Sequence, residues 1–169
     1  NGGYNVVPAN RPITLRDLLS HTSGIDYGLG PGAEEWKAAN IQGWYFADRD
    51  EPIRETIERM APLPNAAHPG TKFVYGYSTD ILGVVVEVVS GETLEEFITQ
   101  NIFIPLNMND THFYLPDEKN DRLAKVYSSF GGKSIAAPDP GQLAGGSHIG
   151  QGHYANGPRK SFSGGAGLL

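Results

Sequence analysis

The stretch that most constrains the fold is S-T-D-I-L-G-V-V-V-E-V-V-S-G, residues 78–91. Within 81–91 Glu87 is the only charge, so most of this run is stable only when removed from water. Its β-branched content favours a strand. Against that, Ser78, Thr79 and Asp80 offer N-cap chemistry, and Gly91 is a natural stop. A buried helix over 78–90 is the predicted element. The run is well short of the ~18 apolar residues that a membrane span needs, as is every other run in the chain.

Local signals predict further helices around it. Thr14, followed by Asp17 three positions on, has the form of a capping box, and Leu15, Leu18 and Leu19 then make one apolar face. Asp50 is placed to cap a second helix carrying Ile53, Ile57 and Met60, which Pro62 ends. Thr93 and Glu96 form another capping box, with Leu94, Phe97 and Ile98 on one face and Pro105 as the terminator. Residues 25–50 read as a long connection with some helix, rich in glycine and in aromatics (Tyr27, Trp36, Trp44, Tyr45, Phe46). From Gly131 onward apolar periodicity disappears and glycines crowd in, as where a segment is mobile or held close to another backbone.

With 169 residues, 39% hydrophobic and 19% charged, the chain suits one ordinary soluble domain. A net charge of -6 without a basic block argues against nucleic acid as a partner. Having no cysteine, the chain makes no disulfide and uses no thiolate. That leaves both a cytoplasmic and an exported location open. The opening residues N-G-G-Y-N-V-V-P resemble neither a signal peptide nor a start, and the end G-G-A-G-L-L is equally abrupt, so residues 1–169 read as an internal fragment of one domain.

Some apparent site residues have simpler explanations. His21, Thr22 and Ser23 suit the termination of the first helix better than a Ser/His catalytic pair. His148 and His153 are too few for a metal centre, so neither metal nor cofactor is expected. Gly164, Gly165 and Gly167 lack the following lysine of a phosphate loop.

Six stretches in a fixed order nevertheless carry a family resemblance: I-T-L-R-D-L-L-S-H-T-S-G-I (13–25), P-G-T-K-F-V-Y (69–75), S-T-D-I-L-G-V-V-V-E-V-V-S-G (78–91), I-F-I-P-L-N-M-N-D-T (102–111), F-Y-L-P-D-E-K-N-D-R-L-A (113–124) and S-F-S-G-G-A-G-L-L (161–169). Together they resemble the serine β-lactamase-like family, which contains class C β-lactamases, penicillin-binding-protein-like peptidases and carboxylesterases. The resemblance implies an α/β (α+β) β-lactamase/transpeptidase-like fold. Residues 14–130 would form largely the helical subdomain, and 131–169 would return to the α/β core. The family's nucleophile sits in a Ser-x-x-Lys motif. No serine stands three residues before a lysine here, so that motif and the family's third motif are expected outside the chain, on the remainder of the same protein.

The resemblance also bears on a pair of phenols. It aligns the family's catalytic tyrosine with Tyr75, because S-T-D-I-L-G follows at the matching spacing. Tyr77 falls where lactamase-type members usually carry asparagine, and is expected to line the substrate pocket. A phenol with an ordinary pKa of ~10 needs a neighbouring cation to act as a base, a role the missing lysine would fill. Lys72 is near in sequence, but no motif assigns it that role. The implied activity is ester hydrolysis through an acyl-enzyme. β-Lactam or D-amino-acid peptide hydrolysis is the alternative, and a non-catalytic binding member a further one. Two departures stand out: Asn107 in L-N-M where glycine is usual, and Ala166 in the terminal glycine string.

Overall fold

A computed structural model of the protein describes residues 3–41, 46–136, 142–144, 147–149, 155 and 157–169. Its helices are α1 Leu15–Leu19, α2 Ala33–Ala38, α3 Ile53–Met60, α4 Ser78–Ser90 and α5 Leu94–Ile98. A π-helical turn, Thr99–Phe103, extends α5, and a 3-10 turn covers Asp117–Arg122. The strands form two antiparallel hairpins, β1 Tyr127–Phe130 with β2 Lys133–Ala136, and β3 Gln142–Ala144 with β4 Ser147–Ile149.

The long apolar segment is a helix, as expected, and Gly91 ends it in the left-handed conformation at φ 77°. Its start differs from expectation. Tyr77 holds the N-cap position without a side-chain cap, while Ser78, Thr79 and Asp80 form the first turn. Those polar groups have tertiary partners instead: Ser78 Oγ meets Ser23 Oγ at 2.9 Å, and the Asp80 carboxylate accepts from the Ser163 hydroxyl. Burial is also one-sided along the axis. Ser78, Asp80, Gly83 and Val84 are buried, whereas Val88 and Val89 are exposed.

Both capping boxes form, from Thr14 to Asp17 and from Thr93 to Glu96. The three-leucine face of α1 does not close on the core, since Leu18 is buried but Leu15 and Leu19 are exposed. On α3, Pro52 takes the N-cap position and Asp50 instead pairs with Lys160 at 2.7 Å. Glu51 then organises that helix, accepting from Thr56 Oγ1 and from both Arg59 terminal nitrogens, which holds its carboxyl at about 2. The hairpin of β1 and β2 was not foreseen. Gly131 and Gly132, both at positive φ, supply its two-residue turn, a hairpin signal that the surrounding glycines obscure.

One core cluster joins Ile25, Trp36, Ile41, Phe46, Ile53, Met60, Tyr77 and Val84, gathering α2, α3 and α4. Tyr77 lies at its centre, fully buried, stacked on Trp36 at 5.9 Å and packed against Phe46 at 5.3 Å. A second cluster of Ala47, Leu94, Phe113, Tyr114 and Phe162 ties α5 to the end of the chain. Trp44 and Tyr45 lie outside the described residues.

The glycine-rich end packs on α4. A Cβ on Gly164 would stand 2.5 Å from the Thr79 carbonyl oxygen, so only glycine allows this approach. Gly165 N–H donates to the same Asp80 oxygen as Ser163, at 3.3 Å. Ala166 is not among the residues at positive φ, which makes it a mild replacement for glycine, and Asn107 adopts φ 55° in glycine's stead.

Two consequences are measurable by thermal unfolding. Tyr77→Ala removes the ring at the centre of the larger cluster and is expected to cost about 3–5 kcal/mol. Asp80→Ala leaves the Ser163 and Gly165 donors without their acceptor, at about 1–3 kcal/mol. Because both bonds go to Oδ1, Asp80→Asn should recover most of that loss; an equal loss in both variants would show that the charge, not the acceptor, holds the turn.

Candidate active site

The two tyrosines of Y-G-Y are presented by a backbone-to-backbone junction. After α1 the chain runs through H-T-S-G-I, where His21 and Gly24 adopt positive φ of 52° and 87°. This loop docks along residues 66–78. Val74 N–H donates to His21 O at 2.7 Å, Gly70 N–H to Thr22 O at 2.8 Å, and Ala66 N–H to Gly24 O at 2.8 Å. The approach is tight enough that a Cβ on Gly24 would lie 2.1 Å from Ala67 O, and one on Gly76 would lie 2.5 Å from the backbone of Asp26. The Ser23–Ser78 hydroxyl pair seals the junction from inside, with both residues fully buried.

In a regular strand, residues two apart would share one side. Here the chain turns into α4 at Gly76 and Tyr77, and the two phenols part company. Tyr75 is 60% exposed and Tyr77 has no exposure at all. Tyr75 lies over the His21 ring, with centroids 4.8 Å apart and planes tilted by 38°. Its other ring neighbour is Tyr27, edge-on at 5.8 Å.

Tyr27 links the two phenols, because it also meets Tyr77 edge-on at 4.9 Å. Burial, and then the neighbouring Tyr75, pushes the Tyr27 phenol up to about 12. Burial also raises Tyr77, with the Asp80 charge adding to it. Both supporting phenols are therefore held in their neutral form, able to donate but unsuited to take up a proton. The Asp80 carboxyl is itself pushed up by burial, against the opposing bonds from Ser163 and Gly165.

Neither His21 nor Tyr27 was singled out as part of this site by the sequence. His21 reads there as a helix terminator, and its left-handed backbone agrees with that job. Tyr27 sits in a connection without periodicity, and no local signal marks it. Ser23, the other member of the discarded Ser/His pair, is a core hydroxyl bonded to Ser78. Lys72 is exposed. No group of three or more potential metal ligands occurs among the described residues. The side chains of His148 and His153 lie outside them. A separate apolar cavity of about 440 Å³ opens between α1, α3 and α4, lined by residues such as Leu18, Ile57, Met60 and Val85, and neither tyrosine lines it.

Known proteins resemble this chain in both sequence and fold. The sequence profile described as Beta-lactamase matches residues 5–169. Lovastatin esterase of Penicillium rubens is 36% identical over 163 residues, an alignment covering 96% of this chain and 37% of the esterase. Esterase EstB of Burkholderia gladioli is 33% identical over 103 residues, covering 60% of this chain and 26% of EstB. Among solved structures, EstCE1, a hydrolase with promiscuous acyltransferase activity, superposes with a TM-score of 0.75 at 30% identity, covering 95% of this chain and 43% of EstCE1. The octameric penicillin-binding protein homologue from Pyrococcus abyssi superposes at 0.56 with 28% identity, covering 89% of this chain and 34% of that one. The chain thus spans well under half the length of each of these relatives, and its mostly helical content is that of a part of the β-lactamase/transpeptidase-like fold. By profile and by structure alike, this chain belongs to the β-lactamase family.

Proposed function

We propose that residues 1–169 are part of a serine hydrolase that cleaves carboxylic esters through an acyl-enzyme, with Tyr75 as the phenol that moves the proton. The observation carrying this reading is the split between the two tyrosines. Tyr75 is largely exposed and lies over the His21 ring, and Tyr77 is fully buried. The esterase names of the relatives supply the reaction class.

The step balances simply. A serine hydroxyl attacks the acyl carbon, its proton passes to the phenolate of Tyr75, and the phenol returns that proton to the departing alkoxide. Water then attacks the acyl-enzyme by the same proton route, releasing the acid and the free serine. The serine and a lysine able to hold the phenolate belong, in this reading, to a Ser-x-x-Lys segment outside residues 1–169. The remainder of the same protein is therefore the partner that completes the site. Residues 14–130 serve as most of the helical subdomain, and 131–169 lead back toward the α/β core. Tyr77, which the resemblance sets at the wall of the substrate pocket, is fully buried, so in this reading it acts on that pocket only indirectly, through its contact with Tyr27. The substrate is a small ester; a β-lactam is the rival, and parallel chromogenic ester and lactam assays separate the two.

In the full-length protein, Tyr75→Phe is expected to lower ester turnover by roughly 10²–10⁴-fold without a loss of melting temperature. Tyr77→Phe should retain most of the turnover. Unimpaired turnover in Tyr75→Phe would overturn the assignment. Residues 1–169 alone should show no hydrolysis, and stoichiometric labelling of that piece by a phosphonate ester would show that the nucleophile lies within it.

A further inference from the structure

We propose that His21 is a positioning residue for Tyr75, its imidazole forming the floor on which the exposed phenol is held. The inference rests on the reading of Tyr75 as the proton-transfer group. It begins from a residue whose helix-ending backbone does not call for a ring, and whose ring nitrogens make almost no hydrogen bonds. His21 sits at φ 52°, where glycine or asparagine would carry less strain. Its Nδ1 is buried without a hydrogen-bond partner, and its Nε2 has only a long 3.5 Å contact to Thr79 Oγ1. An asparagine would satisfy that backbone without burying an unpartnered ring nitrogen.

The ring contacts supply the missing explanation. The imidazole lies 4.8 Å from the Tyr75 ring and 5.7 Å from the Phe73 ring. Tyr75, at 60% exposure, has solvent on most of its remaining sides. Without a support, an exposed tyrosine exchanges among staggered side-chain rotamers. His21 beneath and Tyr27 at the edge favour one of them, and a pair of rings of this kind shifts such a population by roughly 2- to 12-fold. The His21 backbone is fixed in turn, because its carbonyl accepts from Val74 N–H, the residue preceding Tyr75. One residue therefore holds both the main chain leading to Tyr75 and the face of its ring. A base must be aimed within hydrogen-bond reach of the proton it takes, so the share of molecules with the phenol in place scales turnover directly.

The test is a double-mutant cycle on ester hydrolysis by the full-length protein, with kcat and KM read separately and folding followed by melting temperature. His21→Asn keeps a residue suited to the left-handed backbone but removes the ring. It is expected to lower kcat by roughly 3- to 10-fold, in proportion to the lost ring support, with KM nearly unchanged. His21→Phe, which restores a ring without nitrogens, should recover most of that loss. In the Tyr75→Phe background His21→Asn should have no further effect, since the group it positions no longer moves a proton. An equal loss from His21→Asn in both backgrounds, or an unchanged kcat in the single variant, overturns the inference while leaving Tyr75 as the proton-transfer group. Should His21→Asn fail to fold, a His21→Phe variant that folds with kcat as low as Tyr75→Phe overturns it equally. Full activity in Tyr75→Phe overturns the Tyr75 reading and this inference with it.

Discussion

Everything at the candidate site depends on how closely the loop after α1 meets the segment before α4. Gly24 and Gly76 bring two stretches of main chain within a distance that no side chain would tolerate. Three backbone hydrogen bonds and the buried Ser23–Ser78 pair then hold them there. Such a contact has little freedom to slide, because shifting it by one residue would put a Cβ into a carbonyl. The direction in which Tyr75 leaves the surface is set by main chain, and main chain is the stiffest part of a protein. In the proton-transfer role proposed for it, Tyr75 would benefit from that stiffness, since such a group must be aimed closely at its substrate.

From this junction the different surroundings of the two phenols follow by packing. Tyr77 points inward and its ring completes the cluster around Trp36 and Phe46. Tyr27 bridges it to Tyr75, and burial keeps both Tyr27 and Tyr77 neutral. Of the two, it is Tyr27 that meets the Tyr75 ring, so the phenol beside Tyr75 is one that keeps its own proton. The same helix end carries the buried Asp80 carboxyl, which is occupied by Ser163 and Gly165 and so is directed away from proton transfer.

What the sequence made legible was local or motif-borne. The capping boxes at Thr14 and Thr93 could be read because each bond spans three residues. The helix at 78–90 was legible from its stop, since Gly91 ends it locally in the left-handed conformation, while the caps expected at its start do not form. The exposure of Leu15, Leu19, Val88 and Val89 was not, because an apolar pattern says which face wants burial and not what is there to cover it. Ser78 and Asp80 look like caps in sequence, and they act as tertiary anchors because their partners, Ser23 and Ser163, lie far away along the chain. Order of motifs singled out Tyr75 as a candidate, but the histidine beneath it was hidden. Nothing in H-T-S-G says that a ring arriving much later will rest on it. The hairpin turn at Gly131 and Gly132 is the opposite case, a strictly local signal obscured by its glycine-rich surroundings.

The seating of the 161–167 turn on α4 has a consequence in time. The Asp80–Ser163 and Gly165–Asp80 bonds join groups with sequence separations of 83 and 85 residues. Contacts that distant form late, because the closure entropy of the intervening chain must be met before they contribute anything. During synthesis at about 5–20 residues per second, the first turn of α4 therefore waits several seconds with its carboxylate uncovered. The junction at Gly24 and Gly76 closes over a shorter loop and is available earlier. The junction that presents the tyrosines can thus close before the 161–167 turn reaches α4, and until that turn arrives the Asp80 carboxyl lacks its Ser163 and Gly165 partners.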